Sequence, residues 1–201
     1  MKIFKNRIYF NTFFKKGVPS FTDEWGVYFI TGYQGSGKNY FATFMVSLLN
    51  NTKIVTNVKT LKIPNKTIKY FTKLTEILKE TEEYVVYLID EVSKKYNKGS
   101  KPDPDFYAWL QQSRKRKRIV ILITQEWKEV PMWLRRPARY MFHTHQLLFF
   151  PIFVTTKGDA INQTFNTDTL EWECPLLEKY IYKRNKCIAN LYDTFEPIQE
   201  L

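Results

Sequence analysis

The chain has 201 residues, which is enough for one sizeable hydrophobic core and short for two. Hydrophobic residues make up 44% and charged residues 25%, with only 7 glycines and 9 prolines, so the composition excludes a disordered or collagen-like chain. The 31 basic and 20 acidic residues give a net charge of +11, which favours an anionic partner: nucleic acid first, an acidic membrane surface second.

Apolar runs are short throughout the sequence. The longest, at 147–154, is far below the roughly 20 residues that a membrane span needs, so we expect no transmembrane helix. The N-terminus lacks a long apolar stretch with a small-residue cleavage site, so we do not expect secretion. The two cysteines, Cys174 and Cys187, do not make a disulfide framework, and we interpret them as reduced thiols of a cytosolic protein.

From residue 25 onward, strand-like apolar runs alternate with helical patterns. We expect strands at 25–31, 54–58, 84–89 and 119–124, helices at 38–50, 72–83 and 106–117, and a polar loop at 95–105. The runs at 84–89 and 119–124 are apolar almost throughout, which is typical of parallel strands covered on both faces. The alternation predicts an α/β three-layer sandwich with a mostly parallel central sheet.

The pattern changes after about residue 145. We expect strand-like pieces at 147–155 and 160–165, then a helix near 175–183 and a short strand near 188–192. We predict one domain over 1–201 with its core at about 25–145, to which 146–201 adds C-terminal strands and a helix. This last part can belong to the core, form a subunit interface or serve as an arm for a partner.

A glycine-rich turn connects the first strand to the first helix. It matches the pattern G-x-x-x-x-G-K and consists of Gly32, Tyr33, Gln34, Gly35, Ser36, Gly37, Lys38 and Asn39. Such a loop surrounds phosphate oxygens with backbone N–H groups, the helix adds its positive end, and Lys38 would reach the β- and γ-phosphates. The last position is normally Ser or Thr, whose hydroxyl binds Mg²⁺. Asn39 can offer an amide oxygen instead, with a different geometry, so metal affinity and turnover are open.

Two carboxylates, Asp90 and Glu91, follow the apolar run at 84–89. A carboxylate at the end of a central strand lies at the ligand-binding edge of an open α/β sheet. We expect Asp90 to hold Mg²⁺ and Glu91 to orient or deprotonate an attacking water. Gln125 follows the run at 119–124, and its amide would lie beside the γ-phosphate.

Three basic clusters stand out, at 114–118, 135–139 and 183–186. In the first, Arg114 is our candidate for an arginine finger presented to the ATP of a neighbouring subunit, and the other four cations would contact DNA phosphates. The second cluster is a rival source of the finger, and we interpret the third as plain surface. His143 and His145 have no acid or cysteine at a metal-ligand spacing, so we expect no metal there.

Four segments carry a family resemblance: ITGYQGSGKNYFATFMVSLL, IVTNV, YVVYLIDE and LQQSRKRKRIVILITQ. They resemble the N-terminal ATPase domain of zonula occludens toxin-like (Zot) proteins, assembly ATPases of filamentous phages, and the broader FtsK–HerA superfamily of DNA-pumping motors, which includes viral genome-packaging ATPases. The resemblance covers about 26–145. It matches Lys38 to the phosphate-loop lysine, Asp90 and Glu91 to the Walker B pair, Gln125 to the strand-end sensor and Arg114 to the arginine before that strand.

The resemblance implies a P-loop fold of the additional-strand, RecA-like type that binds ATP and Mg²⁺. It also implies a homo-oligomeric ring, a hexamer, that contacts DNA through its phosphates in the host-cell cytoplasm or the virion, with virion or portal-like membrane proteins as further partners. Typical Zot proteins continue into a membrane span that is missing here, which favours a packaging motor over a membrane-anchored exporter.

Three functions follow from these motifs. The first is an ATP-driven translocase that moves viral genome DNA during virion assembly. The second is a Zot-like, nucleotide-gated morphogenesis factor that hydrolyses ATP poorly because of Asn39. The third is a small-molecule kinase on the same phosphate loop, for which the sequence shows no second substrate pocket.

Overall fold

The structure is a computed structural model that describes residues 25–49, 52–147, 150–168 and 171–193. The basic and aromatic segment 1–24 and the last residues of the predicted C-terminal part lie outside the described residues.

The strands are β1 (Gly26–Thr31), β2 (Lys53–Thr56), β3 (Ile68–Tyr70), β4 (Val85–Ile89), β5 (Ile119–Ile123), β6 (Ala138–Gln146), β7 (Ile152–Asp159), β8 (Thr164–Asn166), β9 (Glu171–Glu173) and β10 (Leu176–Lys183). The helices are α1 (Lys38–Ser47), α2 (Leu74–Leu78), α3 (Val92–Lys95), α4 (Pro104–Gln111), α5 (Met132–Arg135) and α6 (Lys186–Ala189), and a 3-10 turn spans Trp127–Glu129.

Eight strands form one sheet in the order β10-β7-β6-β1-β5-β4-β2-β3. From β6 to β3 every pairing is parallel, whereas β7 is antiparallel to both β6 and β10. The strand β5 lies between β1 and β4, so a strand separates the glycine-rich loop from the two carboxylates. This confirms the predicted mostly parallel sheet of the additional-strand type.

The sheet is covered on both faces because its central strands are apolar on both sides. In β1, Tyr28 and Ile30 pack under α1 and α6, whereas Val27 and Phe29 pack under α2, α4 and α5. The sheet therefore lies between two helical layers, as the continuous apolar runs predict.

Two predictions for the C-terminal part are wrong. The helix expected near 175–183 is the strand β10, in which Tyr180 and Tyr182 are buried and their neighbours are not, so the burial has the period of a strand. The strand expected near 188–192 is instead the helix α6, which begins after Asn185, whose side chain accepts a hydrogen bond from the Cys187 amide (2.8 Å).

The predicted helices are also shorter in the structure. Only 74–78 of the expected helix at 72–83 is helical. The helix α4 starts at Pro104, behind an Asp103 side chain that accepts from the Phe106 amide (3.0 Å), and it ends at Gln111. None of the helices in the part of the chain that the structure describes has the length and apolar character needed to cross a bilayer.

Candidate nucleotide-binding site

The glycine-rich loop follows β1 at the edge where the parallel strands end. Gly35 and Gly37 have φ values of 76° and 90°, in the left-handed region that favours glycine. A Cβ on Gly37 would lie 2.5 Å from the Phe153 ring, and a Cβ on Gly32 would lie 2.3 Å from the Thr144 carbonyl oxygen. The loop therefore needs these glycines both for its turn and for its packing against β6 and β7.

Lys38, the first residue of α1, folds back into this loop. Its Nζ donates to the carbonyl oxygens of Gly32 (2.6 Å) and Tyr33 (3.0 Å). Burial lowers the pKa of the Lys38 ammonium, and the nearby carboxylates of Asp90 and Glu91 oppose that shift. A bound phosphate would offer this half-buried cation stronger acceptors than the two carbonyls.

Asp90 is almost fully buried, with 3% of its surface exposed. Its Oδ2 accepts from Asn39 Nδ2 (2.7 Å), and its Oδ1 accepts from the Glu91 amide (2.7 Å). Burial raises the pKa of Asp90 to about 6, although both hydrogen bonds act in the opposite direction. Burial therefore outweighs both hydrogen bonds in setting the pKa of this carboxyl group.

The residues beside Asp90 fit a magnesium ion. Asn39 Oδ1 is buried and has no hydrogen-bond partner, so one hard oxygen ligand lies unused next to the buried carboxylate. No group of three or more His, Cys, Asp and Glu side chains among the described residues can hold a metal. Magnesium commonly completes its shell with substrate phosphates and water, so the pair Asn39 and Asp90 suffices from the protein side.

Glu91 adopts a left-handed backbone conformation, with φ of 54°. This conformation is uncommon for a residue with a side chain, and such strain clusters at functional sites. The carboxylate forms an ion pair with Lys94, one turn later in α3. Glu91 therefore lies in the cleft with a cation of its own chain beside it.

Asn57, just after β2, holds the end of β4 in place. Its Nδ2 donates to the Asp90 carbonyl oxygen (3.0 Å), and its Oδ1 accepts from the Asp90 amide (2.8 Å). This residue lies in the IVTNV segment that carries the family resemblance. The sequence analysis singled out that segment but missed the two hydrogen bonds between Asn57 and the Asp90 backbone.

Gln125 contributes through both its backbone and its side chain. Its carbonyl oxygen accepts from the Gly32 amide (2.8 Å), which connects the end of β5 to the loop, and its side chain lines the cleft. The strand-end position predicted from the sequence is therefore at the same edge as Lys38 and Glu91.

A cleft of about 560 Å³ brings the predicted residues together. Those of them that line it are Gln34, Gly35, Gly37, Lys38, Asn39, Asp90, Glu91 and Gln125. Ser36 is buried below the loop, where its Oγ lies 3.3 Å from Thr144 Oγ1. The sequence reasoning missed five further lining residues, namely Tyr40, Gln146, Phe153, Arg184 and Tyr192.

Arg184, in the third basic cluster, is exposed like Lys183 and Lys186, and it also lines the cleft. It follows β10, which runs parallel to β1 and so ends at the cleft edge, and its amide donates to the Pro151 carbonyl oxygen (2.6 Å). The sequence 176–183, LLEKYIYK, does not alternate between apolar and polar residues, so no local pattern indicated that Arg184 would reach this edge.

Arg114 lies at the opposite edge of the sheet. A Cβ on Gly26, the first residue of β1, would lie 3.5 Å from Arg114 Cγ, whereas the cleft begins beyond the last residue of β1. Six residues of strand span roughly 20 Å. Arg114 is therefore outside the cleft of its own chain.

Two other arginines of the basic clusters are structural, so the roles suggested for them are wrong. Arg118 is fully buried, donates to the carbonyl oxygens of Glu82 (2.9 Å) and Glu80 (2.6 Å), and cannot contact DNA. Arg135 is buried and donates to the carbonyl oxygens of Val130 and Lys128 (both 2.7 Å), so it is not a finger.

Comparison with solved structures shows which proteins share this fold. The N-terminal domain of zonular occludens toxin from Neisseria meningitidis is 18% identical with a TM-score of 0.60, over 84% of this chain and 98% of that chain. The genome packaging NTPase B204 from Sulfolobus turreted icosahedral virus 2, in complex with sulfate, is 15% identical with a TM-score of 0.53, over 77% and 98%. The same NTPase in complex with ATP-gammaS is 10% identical with a TM-score of 0.51, over 79% and 97%.

The chain has the fold of a P-loop NTPase. At these identities the likeness establishes the fold, and it confirms the predicted structural relationship to the Zot domain and to a packaging NTPase. No protein-family model and no curated protein sequence matches the chain.

Proposed function

We propose that the protein is an ATP-hydrolysing motor that moves viral genome DNA during virion assembly. The observation that carries this proposal is the cleft, where Lys38, the Asn39–Asp90 pair and Glu91 face one space. The fold it shares with a genome packaging NTPase and with the Zot domain supports the viral setting.

The residues of the cleft divide the hydrolysis reaction between them. The loop amides and Lys38 bind the β- and γ-phosphates, and Mg²⁺ held by Asp90 and Asn39 Oδ1 supplies further neutralising charge when bound. Glu91 takes a proton from the attacking water, or orients it, and Gln125 lies beside the γ-phosphate. Arg114 of a neighbouring subunit stabilises the charge that develops in the transition state.

A lysine segment beside the cleft suits DNA. The segment 94–101, which begins three residues after Glu91, exposes Lys94, Lys95, Lys98 and Lys101. Lysines bind backbone phosphates without reading sequence, as a packaging motor requires. In a homo-oligomeric ring, a hexamer, these segments would surround the DNA in the host-cell cytoplasm or the virion, with virion or portal-like proteins as further partners.

The proposal is tested by ATP turnover with and without DNA. We expect DNA to stimulate hydrolysis in the native chain, and we expect turnover to be lost in Lys38→Ala and Glu91→Gln. Lys79→Ala, an exposed lysine outside the cleft, is the charge-matched control and should behave as the native chain. A turnover rate that is identical with and without DNA would contradict a translocase.

One observation favours the second candidate, a nucleotide-gated morphogenesis factor with slow hydrolysis. The Asn39 side-chain amide donates a hydrogen bond to Asp90. A serine at this position would instead offer its hydroxyl oxygen to Mg²⁺. If the chain is tuned for binding, Asn39→Ser should raise turnover at least tenfold without tightening ATP binding. Unchanged or lower turnover in Asn39→Ser would favour the motor.

A further inference from the structure

A two-stranded sheet stands apart from the main sheet. It pairs β8 with β9 in antiparallel register through Thr164↔Glu173, Phe165↔Trp172 and Asn166↔Glu171. Each strand has three residues, and none of these six is buried. An isolated two-stranded hairpin is at best marginally stable in water, so a partner surface is expected to cover this one.

Large apolar side chains are concentrated around this hairpin. Half of those exposed in the described part of the chain lie here, and we call this group the hairpin surface: Ile161, Phe165, Trp172, Leu176 and Leu177. Phe165 and Trp172 contact each other edge to face, with ring centroids 5.5 Å apart. Aromatic side chains of this kind are enriched in protein interfaces.

The charge around the hairpin surface is opposite to that of the rest of the chain. The sequence 158–178 contains five acidic residues and no Lys, Arg or His, within a chain of net charge +11. DNA phosphates would be repelled here, whereas a basic protein surface would be attracted.

The chain itself carries such a surface. After α4, the side chains of Arg114, Lys115 and Lys117 are exposed, and we call them the basic ridge. We propose that the hairpin surface of one copy binds the basic ridge of a second copy. This inference rests on the ring of the proposed function and assigns its subunit interface.

The position of the hairpin makes this contact useful for catalysis. Glu171 Oε1 lies 3.8 Å from Lys128 Nζ, three residues after Gln125 of the cleft. A basic ridge seated on the hairpin surface would therefore bring Arg114 toward the segment that follows Gln125 in the neighbouring chain. Because the two surfaces differ, the contact runs head to tail, and a closed ring follows when the rotation closes.

Charge reversal on each surface tests the interface. The hairpin variant is Asp168→Lys with Glu171→Lys, and the ridge variant is Lys115→Glu with Lys117→Glu, which keeps Arg114. The measurement is mass by analytical ultracentrifugation with Mg²⁺ and a non-hydrolysable ATP analogue. Each variant alone should associate at least about tenfold more weakly than the native chain, and an equimolar mixture should recover both assembly and ATP turnover.

Asp105→Lys with Asp193→Lys is the matched control for the hairpin variant, since it makes the same change in net charge at two exposed residues outside both surfaces, and it should assemble as the native chain does. Assembly of both variants at native strength would overturn the interface and leave the proposed function standing. Variants that dissociate alone but do not recover on mixing would overturn the pairing of hairpin with ridge. If the native chain stays monomeric with nucleotide and DNA, both the ring and the interface are overturned. In that case, measuring ATP turnover with and without DNA would still test the motor.

Discussion

Asn39 and Lys94 show how single side chains adjust this site. Asn39 occupies the position of a metal-binding hydroxyl, yet it donates to Asp90 while its own oxygen lies buried and unused. Lys94 pairs with Glu91, the residue that we propose acts on water. In the proposed function, Mg²⁺ would compete with the first contact for Asp90, and a DNA phosphate would compete with the second for Lys94.

The Glu91–Lys94 pair predicts how DNA stimulates turnover. A DNA phosphate that binds Lys94 would release Glu91 toward the water. Lys94→Gln should therefore raise the ATP turnover measured without DNA by about two- to fivefold, because an exposed ion pair is worth up to about 1 kcal/mol. The same variant should be stimulated less by DNA. Lys95→Gln, on the same helix, is the control, and equal DNA-free turnover in the two variants would contradict the release.

Burial of Asp90 predicts a dependence of stability on pH. Its pKa of about 6 in the folded chain exceeds the ordinary value of 3.8, so the folded state binds more protons between these values. The contribution of Asp90 to the free energy of unfolding should therefore fall by roughly 2–3 kcal/mol as the pH rises from about 4 to about 6, and Asp90→Asn should remove this change. Urea unfolding of both proteins across this range measures the difference, and parallel curves would contradict it.

At the scale of elements, strand direction decides which side chains reach the cleft. The helix α4 leads into β5 from the edge that carries Arg114, whereas β10 runs toward the cleft and delivers Arg184 to it. Phe153, from β7, packs on Gly37 and stacks on Tyr40 with ring centroids 5.0 Å apart. The antiparallel strands β7 and β10 thus complete one wall of the site.

The position of Arg184 predicts a role in nucleotide binding within its own chain. Its guanidinium can bind a phosphate of ATP in the cleft, a charge-assisted contact. Arg184→Ala should raise the Kd for ATP about tenfold, equivalent to about 1.4 kcal/mol. Lys183→Ala removes an exposed neighbouring cation that does not line the cleft, and calorimetric titration that gives the two variants the same affinity would contradict the prediction.

At the scale of the whole molecule, charge is divided between surfaces. The lysine segment 94–101 lies beside the cleft, the basic ridge lies at the opposite edge, and the acidic residues of 158–178 surround the hairpin surface. We infer that the excess of +11 serves two kinds of partner, DNA phosphates and a second copy of the chain.

This division predicts the salt dependence of DNA binding. Replacing Lys98 and Lys101 with Ala should lower the slope of log K against log salt by about two, because each lysine that contacts a duplex phosphate contributes roughly 0.9. Replacing Lys62 and Lys79, two exposed lysines outside the segment, should leave the slope unchanged. Fluorescence anisotropy over a series of salt concentrations gives both slopes. If the two double variants lower the slope equally, the DNA does not bind at the segment 94–101.

The sequence by itself determined the phosphate loop, the carboxylates that follow β4, Gln125 after β5 and the mostly parallel sheet, since each depends on a local pattern of glycines, apolar runs and strand ends. Only the tertiary structure decided which basic side chains are exposed and which are buried. Arg118 and Arg135 look like Arg114 in the sequence, but their guanidinium groups are buried against backbone carbonyls. Arg184 reaches the cleft and Asn57 clamps Asp90 because strands distant in sequence end at one edge of the sheet, a condition that no local pattern encodes.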